Sequence, residues 1–120
     1  MAKPPEPLEE IFPQTSIIVD AEVSEIKSED KPDASKDAPR QVVVLKVNRL
    51  VRGKLDVKAP LVVTKPKAAY KLRVGVKGPW LLAVDPKSGE RTILGRYGPD
   101  TWTFEKIDLK LKELDPPQLR

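Results

Sequence analysis

Residues 42–55 read VVVLKVNRLVRGKL, and their phase decides the fold. Val43, Leu45 and Val47 stand two apart, so they share one face of a pleated strand. Leu50 then falls three residues after Val47, where strict alternation turns it to the opposite face. A β-bulge resolves the slip. One inserted residue kinks the strand, increases its twist and returns Leu50 to the apolar face. The simpler alternative makes Leu50 an exposed end residue. It leaves Leu50 and Val51 in water, against a burial gain of about 25 cal/mol per Å2 of apolar area. In a small barrel one long strand must bend sharply to serve both halves, and a bulged strand that turns basic and stops at Gly53 suits that task.

Outward from this strand, residues 41–52, the chain reads as further short strands. In residues 16–26, SIIVDAEVSEI, Ile17, Val19, Ala21 and Val23 face one way while Asp20, Glu22 and Ser24 face the other. Residues 57–65, VKAPLVVTK, form a third strand, with Pro60 marking an edge or a bend near its start. In PWLLAVD, residues 79–85, Trp80, Leu82 and Val84 stand opposite Leu81 and Ala83. DPKSGE is a turn and RTILGR, residues 91–96, is a fifth strand. YGPD turns the chain again, and TWTF adds a short extended piece.

The connecting segments differ in character. Residues 27–40, KSEDKPDASKDAPR, hold almost nothing apolar and cannot offset the entropy of ordering, so a long mobile loop is expected. Leu8, Ile11 and Phe12 make one helical stripe ended by Pro13, a short turn expected to plug one end of the core. EKIDLKLKEL, residues 105–114, fits a helix through Ile107, Leu111 and Leu114, and a strand through Ile107, Leu109 and Leu111. The helix propensity of Leu, Lys and Glu favours the helix, with DPP as its stop. The chain thus divides into a disordered start at 1–7, a barrel domain at 8–104, a helix or strand at 105–114 and a tail at 115–120.

Composition limits the chemistry. At 120 residues the chain suits one domain with a single core. It has no cysteine, hence no disulfide framework and no thiolate metal site. It has no histidine, which removes the commonest general base and the commonest metal ligand. Asp20 and Glu22 lie about 7 Å apart on one strand face, a carboxylate spacing that glycoside hydrolases use. The solvated face of an alternating strand explains them more simply. No phosphate-binding glycine loop and no EF-hand spacing is present. No catalytic residue, metal ligand or cofactor is therefore assigned.

Charge is unevenly spread. Residues 1–39 carry four Lys/Arg against ten Asp/Glu, whereas residues 40–77 carry eleven Lys/Arg against Asp56 alone. The basic block nominates Lys46, Arg49, Arg52, Lys54, Lys65, Lys67, Lys71 and Arg73 as anion contacts, with Tyr70 as an exposed aromatic. Lysines on strands also keep sheet surfaces soluble and edges unpaired. Trp80 and Trp102 suit core or interface anchors better than base-stacking platforms.

IFPQTSIIVDAEVSEI, residues 11–26, resembles the opening of netrin-like domains, the tissue-inhibitor-of-metalloproteinase type of OB-fold. VVVLKVNRLVRGKL is similar to the second strand of that family, running into its basic-glycine stop. YKLRVGVKGPWLLAVD (70–85) and GERTILG (89–95) resemble the later strands, so the likeness covers residues 8–96. It implies a mainly β fold, a small five-stranded OB-like barrel, in a cysteine-free, bacterial-type relative. The animal inhibitors chelate a catalytic zinc through an amino-terminal cysteine, and no residue here matches it. The expected function is a non-enzymatic, monomeric interaction domain that holds a protein or another anionic partner on a basic barrel surface. The alternative is a nucleic-acid-binding OB domain. No apolar run approaches the length of a membrane span. MAKPPEPLEE lacks the apolar core of a secretory signal. An export signal lost from the start would place the protein outside the cytoplasm; otherwise it is cytoplasmic.

Overall fold

The computed structural model describes residues 7–31, 38–68, 70–95 and 98–114. Its strands are β1 (Ile17–Glu29), β2 (Gln41–Arg52), β3 (Leu61–Lys65), β4 (Lys77–Val84) and β5 (Arg91–Ile93). They close a barrel in the order β1-β2-β3-β5-β4, with β4 returning to β1. β3 and β5 run parallel at Thr64 and Thr92, and the other neighbouring pairs are antiparallel. Two helices, α1 (Leu8–Ile11) and α2 (Phe104–Leu114), stand outside it.

The phase slip in β2 is a bulge. Ala21 pairs with Val47 and Asp20 with Arg49, so Asn48 is the extra residue. Val47 and Leu50 consequently both pack against the barrel core, half-buried. A second slip follows: Val19 pairs with Leu50 and Ile18 with Arg52, which leaves Val51 over. The strand stops at Gly53 for a steric reason. Its φ is +98°, and a Cβ there would stand 2.5 Å from the Ser16 carbonyl oxygen. Only glycine lets the chain turn so close to the start of β1.

Inside the barrel, Val19, Ala21, Val23, Val43, Leu45 and Leu82 are fully buried. Trp80 joins them, and its Nε1–H donates to the Ala21 carbonyl at 2.8 Å, so the indole is buried with its polar group satisfied. One end is closed by the segment between β3 and β4. Leu72 is buried there with its backbone clipped to Gln41, whose amide accepts from Leu72 N–H at 2.8 Å and donates to Leu72 C=O at 3.0 Å.

A second core lies on the outside of the barrel. Ile18, Leu81 and the partly buried Val51 and Leu94 face outward and meet Leu8 and Ile11 of α1, Trp102, and Ile107 of α2. α1 therefore covers the outer wall with α2 and does not plug the barrel end. Lys110 fastens the two helices, with its Nζ 2.7 Å from Glu9 Oε1 and 3.1 Å from Glu113 Oε2.

Several expected boundaries move. β1 runs on to Glu29, so the loop expected at 27–40 gives up its first three residues, held in register by Ser28 opposite Val42 and Glu29 opposite Gln41. Residues 32–37 and 115–120 lie outside the described residues, as do 1–6 of the expected disordered start. Pro7 is the N-cap of α1, its carbonyl accepting from Glu10 and Ile11. β3 begins only after Pro60, since residues 57–59 turn over Asp56, whose carboxylate accepts from Lys58 N–H. The segment expected to be extended at TWTF instead carries Thr101 in a 3-10 turn and Phe104 as the first residue of α2. Of the apolar pair ending β5, Ile93 enters the barrel while Leu94 turns to the outer core.

Candidate functional site

The basic block meets the acidic segment across the β1–β2 ladder. Glu22 faces Lys46 in register, and Asp20 faces Arg49. Glu22 also lies 3.9 Å from Lys77 on its other side. Opposite charges set across a strand pair stabilise the pairing modestly. Asp20 and Glu22 are thus engaged on the wall, each opposite a cation.

The nine nominated residues divide among different places. Arg49 stands over the Phe104 ring of α2 at 5.6 Å, a cation–π contact against the outer core. Arg52 lines a crevice of about 210 Å3 with Glu9, Phe12, Pro13, Thr15 and Ile18. At the closed end of the barrel, Lys71 pairs with Glu29 at 3.2 Å. Lys65 is fully buried there, its Nζ donating to the Tyr70 carbonyl at 2.7 Å and lying 5.2 Å from the Tyr70 ring. Lys65 is therefore not part of the exposed surface: its stem fills core and its ammonium reaches the loop carbonyl. Tyr70 is not an exposed aromatic either, but half-buried against the barrel core. Lys54, Lys67 and Arg73 are exposed.

Lys46 alone among the nine lines a further groove. This groove, about 530 Å3, crosses the outer face of β1, β2 and β3. Its floor holds Val44 and Val62, with Val57, Ala59 and Pro60 of the preceding turn along one side, and its lining also reaches Leu45 and Val47, which pack on the barrel core. Val57 and Val62 are 41% and 42% exposed, so water now covers much of their apolar surface. Its charged rim is Lys27, Lys46, Lys58 and Glu25. Both extra residues of β1, Ser24 and Lys27, border it: pairing skips Ser24 between Val23 and Glu25, and Lys27 between Ile26 and Ser28. Bulges commonly re-aim side chains beside binding sites. Ser24 Oγ donates to the Val44 carbonyl at 3.2 Å.

Comparison with family models, curated proteins and solved structures gave no match. The site is accordingly judged on its chemistry. The Lys110 ammonium holds the Glu9 carboxyl below its ordinary range, and the Lys87 and Ser88 N–H groups do the same for Asp85. Among the described residues, no three carboxylates converge as a metal site would require, and no helix is long and apolar enough to cross a membrane.

The groove residues other than Lys46 escaped the sequence reading. One signal was available. Val42-Val43-Val44 and Leu61-Val62-Val63 are unbroken apolar runs, which mark strands covered on both faces.

Proposed function

We propose that this protein is a non-enzymatic binding domain, an OB-type barrel that holds a protein partner in the groove across β1, β2 and β3. One observation carries the reading. Where β1 and β4 are apolar on both faces, α1 and α2 cover the outer side. Where β2 and β3 are apolar on both faces, the outer side carries Val62 at 42% exposure over an open groove. Contiguous exposed aliphatic surface in a charged setting is characteristic of interaction sites. The strand order and the parallel β3–β5 pair support the OB-type reading, and in such barrels the face of strands 2 and 3 is where ligands lie. The resemblance to netrin-like domains points the same way, although a fold does not choose the partner.

The nucleic-acid alternative is less well supported. Single strands bind on exposed aromatic platforms. Among the described residues, Trp80 and Trp102 are buried, and Phe12, Tyr70 and Phe104 are half-buried against one core or under Arg49.

The test is a selection of short random peptides displayed on phage, run on the wild-type protein and on Val62→Asp. Val62 is 42% exposed, so the variant is expected to keep the barrel, with circular dichroism as the check. Peptides retained by the wild type and lost on Val62→Asp are expected. Retention unaffected by the substitution, or no retention at all, overturns the groove as the binding site.

A further inference from the structure

The groove's chemistry specifies its occupant, on the assumption that it is the binding site just proposed. We infer that it takes an extended peptide segment in which carboxylates alternate with small aliphatic side chains. Charge supports this. Three lysines, Lys27, Lys46 and Lys58, face one carboxylate, Glu25, around the rim. The acid opposite Lys46 in the ladder, Glu22, lies 3.9 Å from Lys77 on its far side. A surplus of positive charge attracts an acidic partner and sets its register.

The floor supplies the second half of the specificity. Val44 and Val62, with Val57 beside them, offer short branched surfaces and no aromatic ring. Such a floor suits Val, Ile or Leu side chains by dispersion and loss of water. At Val44 the backbone is unavailable for strand addition, because it is paired to Glu25 on one side and to Val62 on the other, whereas beyond Leu45 β2 pairs with β1 alone. Recognition over Val44 therefore runs through side chains, with the peptide lying over the sheet.

The experiment extends the phage selection. Peptides recovered on the wild-type protein are resynthesised and titrated against wild type, Val62→Asp and the double variant Lys46→Glu, Lys58→Glu. Both lysines are exposed, and retained thermal unfolding shows the variant folded. The selected peptides are expected to share Asp or Glu beside Val, Ile or Leu. The charge reversal is expected to weaken them by about tenfold or more, and raised salt to weaken them further. Binding lost on Val62→Asp but unchanged or strengthened by the charge reversal overturns the acidic partner while leaving the groove in place. Binding indifferent to all three substitutions overturns the groove itself. Oligothymidylate that binds the wild type and displaces the peptides overturns the inference in favour of nucleic acid.

Discussion

The Gln41 amide is buried and makes two reciprocal bonds to one residue of a distant loop, and a third to Glu29 Oε1 at 2.9 Å. A single side chain thereby satisfies both backbone groups of Leu72, which would otherwise be buried without partners. We predict that Gln41→Ala lowers stability by about 2–6 kcal/mol, because two orphaned backbone groups each cost about 1–3 kcal/mol. Gln41→Leu should be nearly as damaging despite its volume, since it supplies packing but no bonds. Urea midpoints of the two variants test this; full stability in Gln41→Leu would show that filling space, and not bonding Leu72, is the role of Gln41. Nothing local in the sequence announces Gln41, because its partner is 31 residues away. The same holds for Lys65, whose type says surface and whose position is core. Its stem fills the barrel end while its ammonium reaches the Tyr70 carbonyl. By contrast, the bulge at Asn48 was readable, since a bulge leaves a phase change in the apolar pattern.

At the scale of elements, the strands were legible through alternation, and the second core was not. Its members stand next to barrel residues in Ile17-Ile18-Val19, Trp80-Leu81-Leu82 and Ile93-Leu94. Alternation assigns one face to the core and says nothing of what covers the other. The ambiguity of residues 105–114 is resolved by packing: Ile107 and Leu111 meet the outer core, while Leu109 is 62% exposed, as a helix but not a strand would place it. α1 has four residues and cannot hold itself together. It persists through Leu8, Ile11 and the Glu9–Lys110 contact. That contact has a defined pH window. Lys110 draws the Glu9 carboxyl below its ordinary 4.5, so the stabilisation is present above 4.5 and is lost as pH falls through the lowered value. Glu9, then Glu113, raise Lys110 above 10.5, so its share is complete below 10.5 and is lost as pH rises through the raised value. We predict that acidification loosens α1 and α2 before the barrel. In an NMR titration, Trp102 should respond ahead of Trp80, and Glu9→Gln should remove that early acid response. Simultaneous response of both indoles would contradict the prediction.

Across the whole molecule, the uneven charge of the chain becomes an even surface in part, because an acidic strand is laid beside a basic one. The cations of the basic block divide among several places, Arg49 over Phe104, Lys71 beside Glu29 and Lys46 on the groove rim. The barrel is also unevenly tied. β1 pairs along ten positions with β2 and along six with β4, whereas β3 and β5 are joined in register only at Thr64 and Thr92. β5 itself has three residues. A side-chain support at this seam is long, Thr64 Oγ1 donating to Glu90 Oε2 at 3.4 Å. Local opening follows the distribution of buried contacts and ladder bonds, so the least-paired seam opens at the lowest free energy. We predict that native-state hydrogen exchange ranks the amides of β5 and of the β3 edge facing it as the fastest in the sheet. Those of Val19, Ala21 and Leu45 in the β1–β2 ladder should exchange near the global unfolding limit. The floor of the proposed site straddles this difference, with Val44 on the firmly held β2 and Val62 on β3. A segment bound across both strands ties β3 to the rigid half of the barrel. The peptides selected on the wild type should therefore slow exchange at the β3–β5 seam more than at the β1–β2 ladder. Uniform slowing across the sheet would show that binding stabilises the barrel only globally. Seam amides as slow as those of β1 before any peptide is added would remove the weak seam altogether.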